Sequence, residues 1–232
     1  MTATYDSAMP AITVPTRTGY TFGGYFSETE GNGTQYYNAN GTSARTWNIA
    51  NDATLYAKWT PYPYTVKFNA NGGSGTMADQ AFTYDVSQNL TANAFTRTGY
   101  HFTGWNTAAN GSGTAYADKA SVKNLTSTYS GTVTLYAQWE ANTATITIKK
   151  DNSNWSSSGM NVALYSGTTL KYAYSSATAS GATVTFSAVA NGTYNVYASK
   201  YNGLTTLVDT GVDITISSNK PTVVINFYSR FI

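Results

Sequence analysis

The sequence predicts a mainly β chain: two tandem copies of one small β-rich module, then a β-sandwich of about seven strands. Three observations predict it. Blocks of sequence recur at one fixed spacing, short segments alternate apolar with polar residues, and clusters of Gly, Asn and Ser separate those segments.

The repeat anchors the rest. Arg17-Thr18-Gly19-Tyr20-Thr21-Phe22-Gly23-Gly24-Tyr25 returns as Arg97-Thr98-Gly99-Tyr100-His101-Phe102-Thr103-Gly104-Trp105, an offset of 97 − 17 = 80. Gly31-Asn32-Gly33-Thr34-Gln35-Tyr36 returns as Gly111-Ser112-Gly113-Thr114-Ala115-Tyr116, and Thr54-Leu55-Tyr56-Ala57-Lys58-Trp59 as Thr134-Leu135-Tyr136-Ala137-Gln138-Trp139, both at the same offset. Chance does not hold three blocks at one spacing.

In the second copy, Tyr64-Thr65-Val66-Lys67-Phe68 reads as the opening strand. Asn69-Ala70-Asn71-Gly72-Gly73 comes next as a hairpin or loop, because Asn and Gly tolerate positive φ. Gln80 to Tyr84 is the next strand. Tyr100, Phe102 and Gly104 alternate with His101, Thr103 and Trp105, which puts the two sets on opposite faces. Gly-x-Gly-Thr is a turn, and a short helix is expected around Asp118 to Asn124. The closing strand carries Val133, Leu135, Ala137 and Trp139 on one face.

The first copy departs from this plan. Thr4-Tyr5-Asp6 matches Thr83-Tyr84-Asp85 one residue out of register, so the counterpart of Tyr64–Phe68 would fall before Met1. An exposed sheet edge is expected there, covered by a neighbouring module or chain. Thr60-Pro61-Tyr62-Pro63 joins the copies, and its two prolines shorten and stiffen the join. Glu140-Ala141-Asn142 is the next boundary. The expected domains are therefore 1–60, 61–140 and 141–232.

In the last of these, six segments read as strands: Thr145-Ile146-Thr147-Ile148, Val162-Ala163-Leu164-Tyr165, Thr183-Val184-Thr185-Phe186, Tyr194-Asn195-Val196-Tyr197, Val212-Asp213-Ile214-Thr215-Ile216 and Val223-Val224-Ile225-Asn226-Phe227. Short strands at this density suggest a sandwich.

G-Y-x-F-x-G-[WY] followed by L-Y-A-x-W, with Asn-Gly-Gly ahead of them, resembles the internalin B-repeat family, also called the Listeria–Bacteroides repeat. The resemblance covers about residues 2–59 and 64–139. It implies small β-grasp-like modules in an extracellular bacterial protein, strung between a functional head and the cell wall, with no catalytic residues. The order Ile-x-Ile-x-Lys, a turn, Asn161-Val162-Ala163-Leu164-Tyr165, then Gly192-Thr193-Tyr194-Asn195-Val196 resembles the collagen-adhesin B-type domain and its prealbumin-like relatives.

Composition narrows the function classes. Charged residues make up only 10% of the chain, against about 25% in an average globular protein. The net charge is +2, and no basic cluster exceeds Lys149–Lys150, which disfavours nucleic acid and anionic membrane as partners. There are no cysteines, so disulfide and thiolate chemistry are excluded. No apolar run approaches the ~20 residues that span a bilayer. Nor does a basic segment with an apolar core come after Met1, so targeting and anchoring signals are expected outside this chain.

Candidate chemistry is sparse. His101, the only histidine, stands where the other copy has Thr21, and reads as a surface strand residue. Glu28 and Glu30 lie close in sequence, and two carboxylates suffice for glycosidase chemistry, but they align with Ala108 and Asn110 and nothing singles out a pair. Asp151-Asn152-Ser153-Asn154 spaces oxygen ligands as a calcium loop would. It lacks the following Gly and the distant Glu, so a polar turn is the better reading, and no metal or cofactor is expected. Among the repeated aromatics Tyr25/Trp105, Tyr56/Tyr136 and Trp59/Trp139, the last pair is in phase with Leu55 and Leu135 and is assigned to the core. Trp47 and Trp155 fall outside the repeated pattern and are the candidates for ligand contact. Collagen-adhesin B-type domains join a first-strand Lys to a last-strand Asn by an isopeptide bond, aided by a buried acid. By that resemblance Lys150 and Asn226 are the candidate pair, yet Ala198 stands where the acid belongs. The bond is therefore expected to be absent.

These readings point to a non-enzymatic stalk or adhesion segment of a bacterial cell-surface protein. The alternative is a module that binds glycan or host protein through exposed aromatics. Expected partners are neighbouring modules of the same parent, a host protein or a glycan.

Overall fold

The computed structural model describes residues 2–150, 153–154, 161–173, 177–199, 207–217 and 221–227. They are mainly β. They pack into two compact units, Met1–Asn69 with Ala78–Asn93 and Asp118–Leu135, and Ala70–Met77 with Ala94–Ala117 and Tyr136–Ile232. The second copy contributes to both units.

The repeat region carries β1 (Tyr20–Phe26), β2 (Gln35–Tyr37), β3 (Tyr56–Pro61), β4 (Pro63–Asn69), β5 (Gln80–Thr83), β6 (Gln88–Asn89), β7 (Tyr100–Asn106), β8 (Ala115–Tyr116), β9 (Ser121–Val122) and β10 (Gly131–Ala141). In the first copy the sheet order is β2-β1-β3. Its small core is Met9, Tyr36 and Tyr37, with Ile12, Tyr25, Trp47 and Leu55 packed against it. In the second copy β4 pairs antiparallel with β5, and the Tyr64 and Phe82 rings stack at 5.3 Å. β7 lies between β10 and β8.

The expected helix at Asp118 to Asn124 does not form. Lys119 and Asn124 take positive φ, 58° and 56°. The residues between them make β9, which pairs with β6, and the Ala120 carbonyl accepts from the Leu90 amide at 2.9 Å. Left-handed residues at both ends stop a helix from propagating.

Strict alternation along the G-Y-x-F-x-G-[WY] strand also fails, and in both copies for one reason. Phe22 lies opposite Trp59 but Tyr25 opposite Ala57, three steps against two. Phe102 lies opposite Trp139 but Gly104 opposite Gln138, two steps against one. Each strand carries one extra residue, a β-bulge that reverses the phase of the residues beyond it. Phe102 and Trp105 therefore share a face, with ring centroids 5.0 Å apart, as Phe22 and Tyr25 do at 5.2 Å. Trp105 is fully buried instead of sharing a face with His101.

The described residues between 143 and 227 form a two-sheet sandwich. Its strands are β11 (Thr143–Lys150), β12 (Ser153–Asn154), β13 (Val162–Ser166), β14 (Thr169–Tyr172), β15 (Ala177–Ser180), β16 (Thr183–Ser187), β17 (Gly192–Ala198), β18 (Val208–Ile216) and β19 (Thr222–Phe227). One sheet has the order β12-β11-β16-β15 with β19 on β11, and the other β14-β13-β17-β18. All six expected segments are strands, and three short ones join them. Alternate residues of both sheets, among them Ile146, Leu164, Phe186, Val196, Ile214 and Ile225, make one core. This is the period-2 pattern meeting itself across a sheet-on-sheet interface.

Gly104 (φ 147°) makes the second bulge possible, because a Cβ there would stand 2.8 Å from the Tyr116 carbonyl oxygen. Gly104→Ala is expected to lower stability by roughly 1–3 kcal/mol. Gly167, at φ 58° with open space around it, should lose less on the same change. Urea denaturation of the two variants compares them.

Candidate functional site at the joints between modules

One residue separates β3 from β4, and one residue separates β10 from β11. They are Tyr62 and Asn142, 142 − 62 = 80 positions apart. So short a connection leaves backbone groups that must find partners nearby, and each joint solves this the same way. The Tyr62 amide donates to the Gly19 carbonyl at 2.8 Å, and the Tyr62 carbonyl accepts from the Tyr84 amide at 2.9 Å. The Asn142 amide donates to the Gly99 carbonyl at 2.8 Å, and the Asn142 carbonyl accepts from the Val189 amide at 3.2 Å. Each joint residue is thus bonded to the turn before it and to the module after it.

The turn supplying the acceptor is the Arg-Thr-Gly-Tyr block. Its glycine takes positive φ, 77° at Gly19 and 80° at Gly99. The following module rests on the glycine's bare Cα: the Tyr84 ring at Gly19 and the Ala188 backbone at Gly99 occupy the place of a Cβ. Arginine braces the turn from within. The Arg17 guanidinium lies 3.8 Å from the Tyr20 ring centre, and Arg97 lies 3.9 Å from that of Tyr100.

Side chains make the two joints different. At the first, the Tyr20 hydroxyl donates to Asp85 Oδ2 at 2.8 Å, and Asn124 Nδ2 donates to Asp85 Oδ1 at 2.7 Å. These two bonds, Asn124's first, favour the carboxylate and hold the Asp85 pKa below its ordinary value. The bond to Asp85 also raises the Tyr20 pKa. Tyr62 packs edge-on against Tyr129 at 5.4 Å. At the second, buried Asn142 uses its whole amide. Nδ2 donates to the Val189 carbonyl at 3.2 Å and to Asn191 Oδ1 at 3.1 Å. Oδ1 faces His101 Nδ1 at 3.0 Å. Two acceptors around Nδ2 fix the amide's orientation, so His101 Nδ1 carries the hydrogen. His101 Nε2 lies 3.4 Å from Glu140 Oε2. His101 is therefore a partly buried joint residue and not a bare strand residue.

The other candidates lie elsewhere. Trp47 is half-buried against Tyr36, with ring centres 5.2 Å apart. Trp155 lies outside the described residues. Glu28 and Glu30 are exposed around a 3-10 turn, Thr29–Gly31. Trp59 and Trp139 are half-buried on Phe22 and Phe102, and Trp139 Nε1 donates to the Ala70 carbonyl at 2.9 Å. β11 and β19 run parallel with Lys149 opposite Asn226 and Lys150 opposite Phe227. The side chains of Lys150 and Asn226 lie outside the described residues, while Ala198 is fully buried in the sandwich core. Asp151 and Asn152 of the calcium-like segment are likewise outside them. Among the described residues no three His, Asp or Glu side chains gather as a metal site would need.

The sequence places Tyr62 in the join and Asn142 at the next boundary, but does not pair them as equivalent joint residues because their identities differ. Position was the available signal: both stand three residues after the Trp of L-Y-A-x-W.

The model of the Listeria-Bacteroides repeat domain family matches residues 1–58 and 64–138. Internalin H of Listeria monocytogenes is 38% identical over 132 residues, 56% of this chain and 21% of that protein. A protein of Evansella cellulosilytica that carries the name Gly-rich membrane protein is 33% identical over 138 residues, 58% of this chain and 16% of that one. The matched part thus spans about a fifth or less of these relatives. The solved structure of the Bacillus anthracis TIE protein matches at a TM-score of 0.36 and 10% identity, over 77% of this chain and 35% of that one. That likeness is too distant to carry an argument.

The joints can be tested by stability. Asn142→Ala leaves buried partners unsatisfied and should cost roughly 1–3 kcal/mol, measured by denaturation. The charged form of Asp85 is favoured in the fold, so its contribution is present above the ordinary carboxylate range. It is lost as pH falls through the lowered folded value. The stability difference between wild type and Asp85→Asn should be largest at neutral pH and vanish in strong acid.

Proposed function

This chain belongs to the Listeria–Bacteroides repeat family, and from that premise we propose that it is a non-enzymatic stalk or adhesion segment of a bacterial cell-surface protein. It spaces or displays a binding region that lies elsewhere in the parent. The joint carries this reading: a single residue, hydrogen-bonded on both sides, recurs at the end of each repeat. A flexible tether would not need it; a segment that holds modules at a set angle does. The names of the relatives, an internalin and a membrane protein, support a place at the bacterial surface.

We read residues 141–232 as a collagen-adhesin B-type or prealbumin-like module. Its two-sheet core and the pairing of first strand with last support this. With Ala198 in the acid's place, the intact mass should equal that of the sequence, with no loss of ammonia. The non-enzymatic reading is supported by the repeat itself, since His101 becomes Thr21 and Glu28 and Glu30 become Ala108 and Asn110 in the other copy. A second reading, glycan or host-protein binding, draws on the exposed Tyr5, Tyr56 and Tyr129. A reproducible glycan-array hit would favour it.

Small-angle scattering tests the stalk. An elongated particle is expected, and inserting a few Gly-Ser residues after Tyr62 and after Asn142 should broaden its distance distribution. A compact particle, or one unchanged by the insertions, would count against the proposal.

A further inference from the structure

The second joint carries a groove that the joint's own hydrogen bonds do not use. It opens over about 660 Å³ between the Arg97-Thr98-Gly99-Tyr100 block, Phe102, Trp139 and Asn191. All of these residues lie within one of the two compact units. The volume falls inside the roughly 300–1,000 Å³ of clefts that hold small ligands. Much of the lining is aromatic. Phe102 and Trp139 are half-buried and meet edge to face, with ring centres 5.7 Å apart. Thr98 and Asn191, both exposed, add a hydroxyl and an amide.

The charge in this groove lacks a counterion. The Arg97 guanidinium is half-buried and lies over the Tyr100 ring. A ring contact takes up part of its charge and none of its five N–H donors. Among the described residues no carboxylate pairs with it and no acceptor takes those donors. The lining itself holds no Asp or Glu. The acid of this joint, Glu140, sits instead against His101 Nε2, 3.4 Å away, and is not part of the lining. The first joint differs, because there the charge of the equivalent Arg17 acts on the Asp85 carboxylate. One uncompensated guanidinium suits one carboxylate, which it can hold by two parallel hydrogen bonds. A row of phosphates would call for a row of cations. Aromatic rings beside hydroxyl and amide groups suit a sugar, whose ring has an apolar C–H face and a polar rim.

We propose that this groove binds an acidic saccharide, with the Arg97 guanidinium on the sugar's carboxylate, Trp139 and Phe102 against its ring, and Thr98 and Asn191 on its hydroxyls. The site is independent of the stalk reading. It deepens the glycan-binding reading by giving it a place and a ligand class, and it uses none of the exposed tyrosines Tyr5, Tyr56 and Tyr129.

The probes are trigalacturonate and sialyllactose, each beside its methyl ester, and a tetra-aspartate peptide, all added to the full chain. Calorimetry should show saturable binding of at least one free acid, and binding of its ester about tenfold weaker or worse. The ester removes only the ligand's charge and leaves the protein untouched. Arg97→Gln should weaken the free acid to the same degree while keeping the wild-type melting curve, and Arg17→Gln should leave binding unchanged. In nuclear magnetic resonance spectra the Arg97 Nε–H signal should shift as the acid is added. No binding of either acid, equal binding of acid and ester, or equal loss in Arg17→Gln would overturn the proposal. A tetra-aspartate peptide that binds as well as the sugars would overturn the saccharide assignment. A saccharide that binds Arg97→Gln as well as wild type would overturn this site and leave the wider glycan reading standing, so the two failures are told apart.

Discussion

A turn glycine without a Cβ, at Gly19 and again at Gly99, lets the next module settle onto the backbone and lets a single joint residue bond in both directions. Most of the architecture depends on that contact. With one residue between strands there is no slack, so the amide and carbonyl of Tyr62 and of Asn142 must be satisfied within reach. An unsatisfied buried backbone group costs about 1–3 kcal/mol. A Cβ at Gly99 would collide with the Ala188 backbone and one at Gly19 with the Tyr84 ring, so either would disturb the seat of the next module. The repeat therefore encodes the junction as well as the module, and encodes it in its most compact block.

A second glycine has a comparable role inside the module. Gly24 and Gly104 take φ of 113° and 147° beneath the carbonyls of Tyr37 and Tyr116. The bulge they allow turns two aromatic positions, three apart in sequence, onto one face. That is how a module with few aliphatic residues buries a tryptophan completely.

The copies also show that burial belongs to context. Leu55 and Leu135 sit in nearly identical sequence, and one is half-buried while the other is sealed. What separates them is a neighbouring strand, contributed by residues far from either in the pattern of the repeat. The joints show the same thing: the first closes with Asp85, Tyr20 and Asn124, the second with His101, Asn142 and Asn191. A common backbone arrangement holds modules of different design.

The sequence by itself determined the mainly β class, the 80-residue repeat, the places of most strands and turns, and the strands of the sandwich. These are local signals: period-2 alternation, turn glycines, and recurrence along the chain. Only the tertiary structure decided the bulge at Gly104, the strand at Ser121–Val122 where a helix was expected, and the role of His101 in a joint. Each of these turns on where a distant carbonyl, amide or strand lies, and a one-dimensional pattern carries no record of that. Asn142 reads as an ordinary boundary residue until Gly99, Val189 and Asn191 are brought around it.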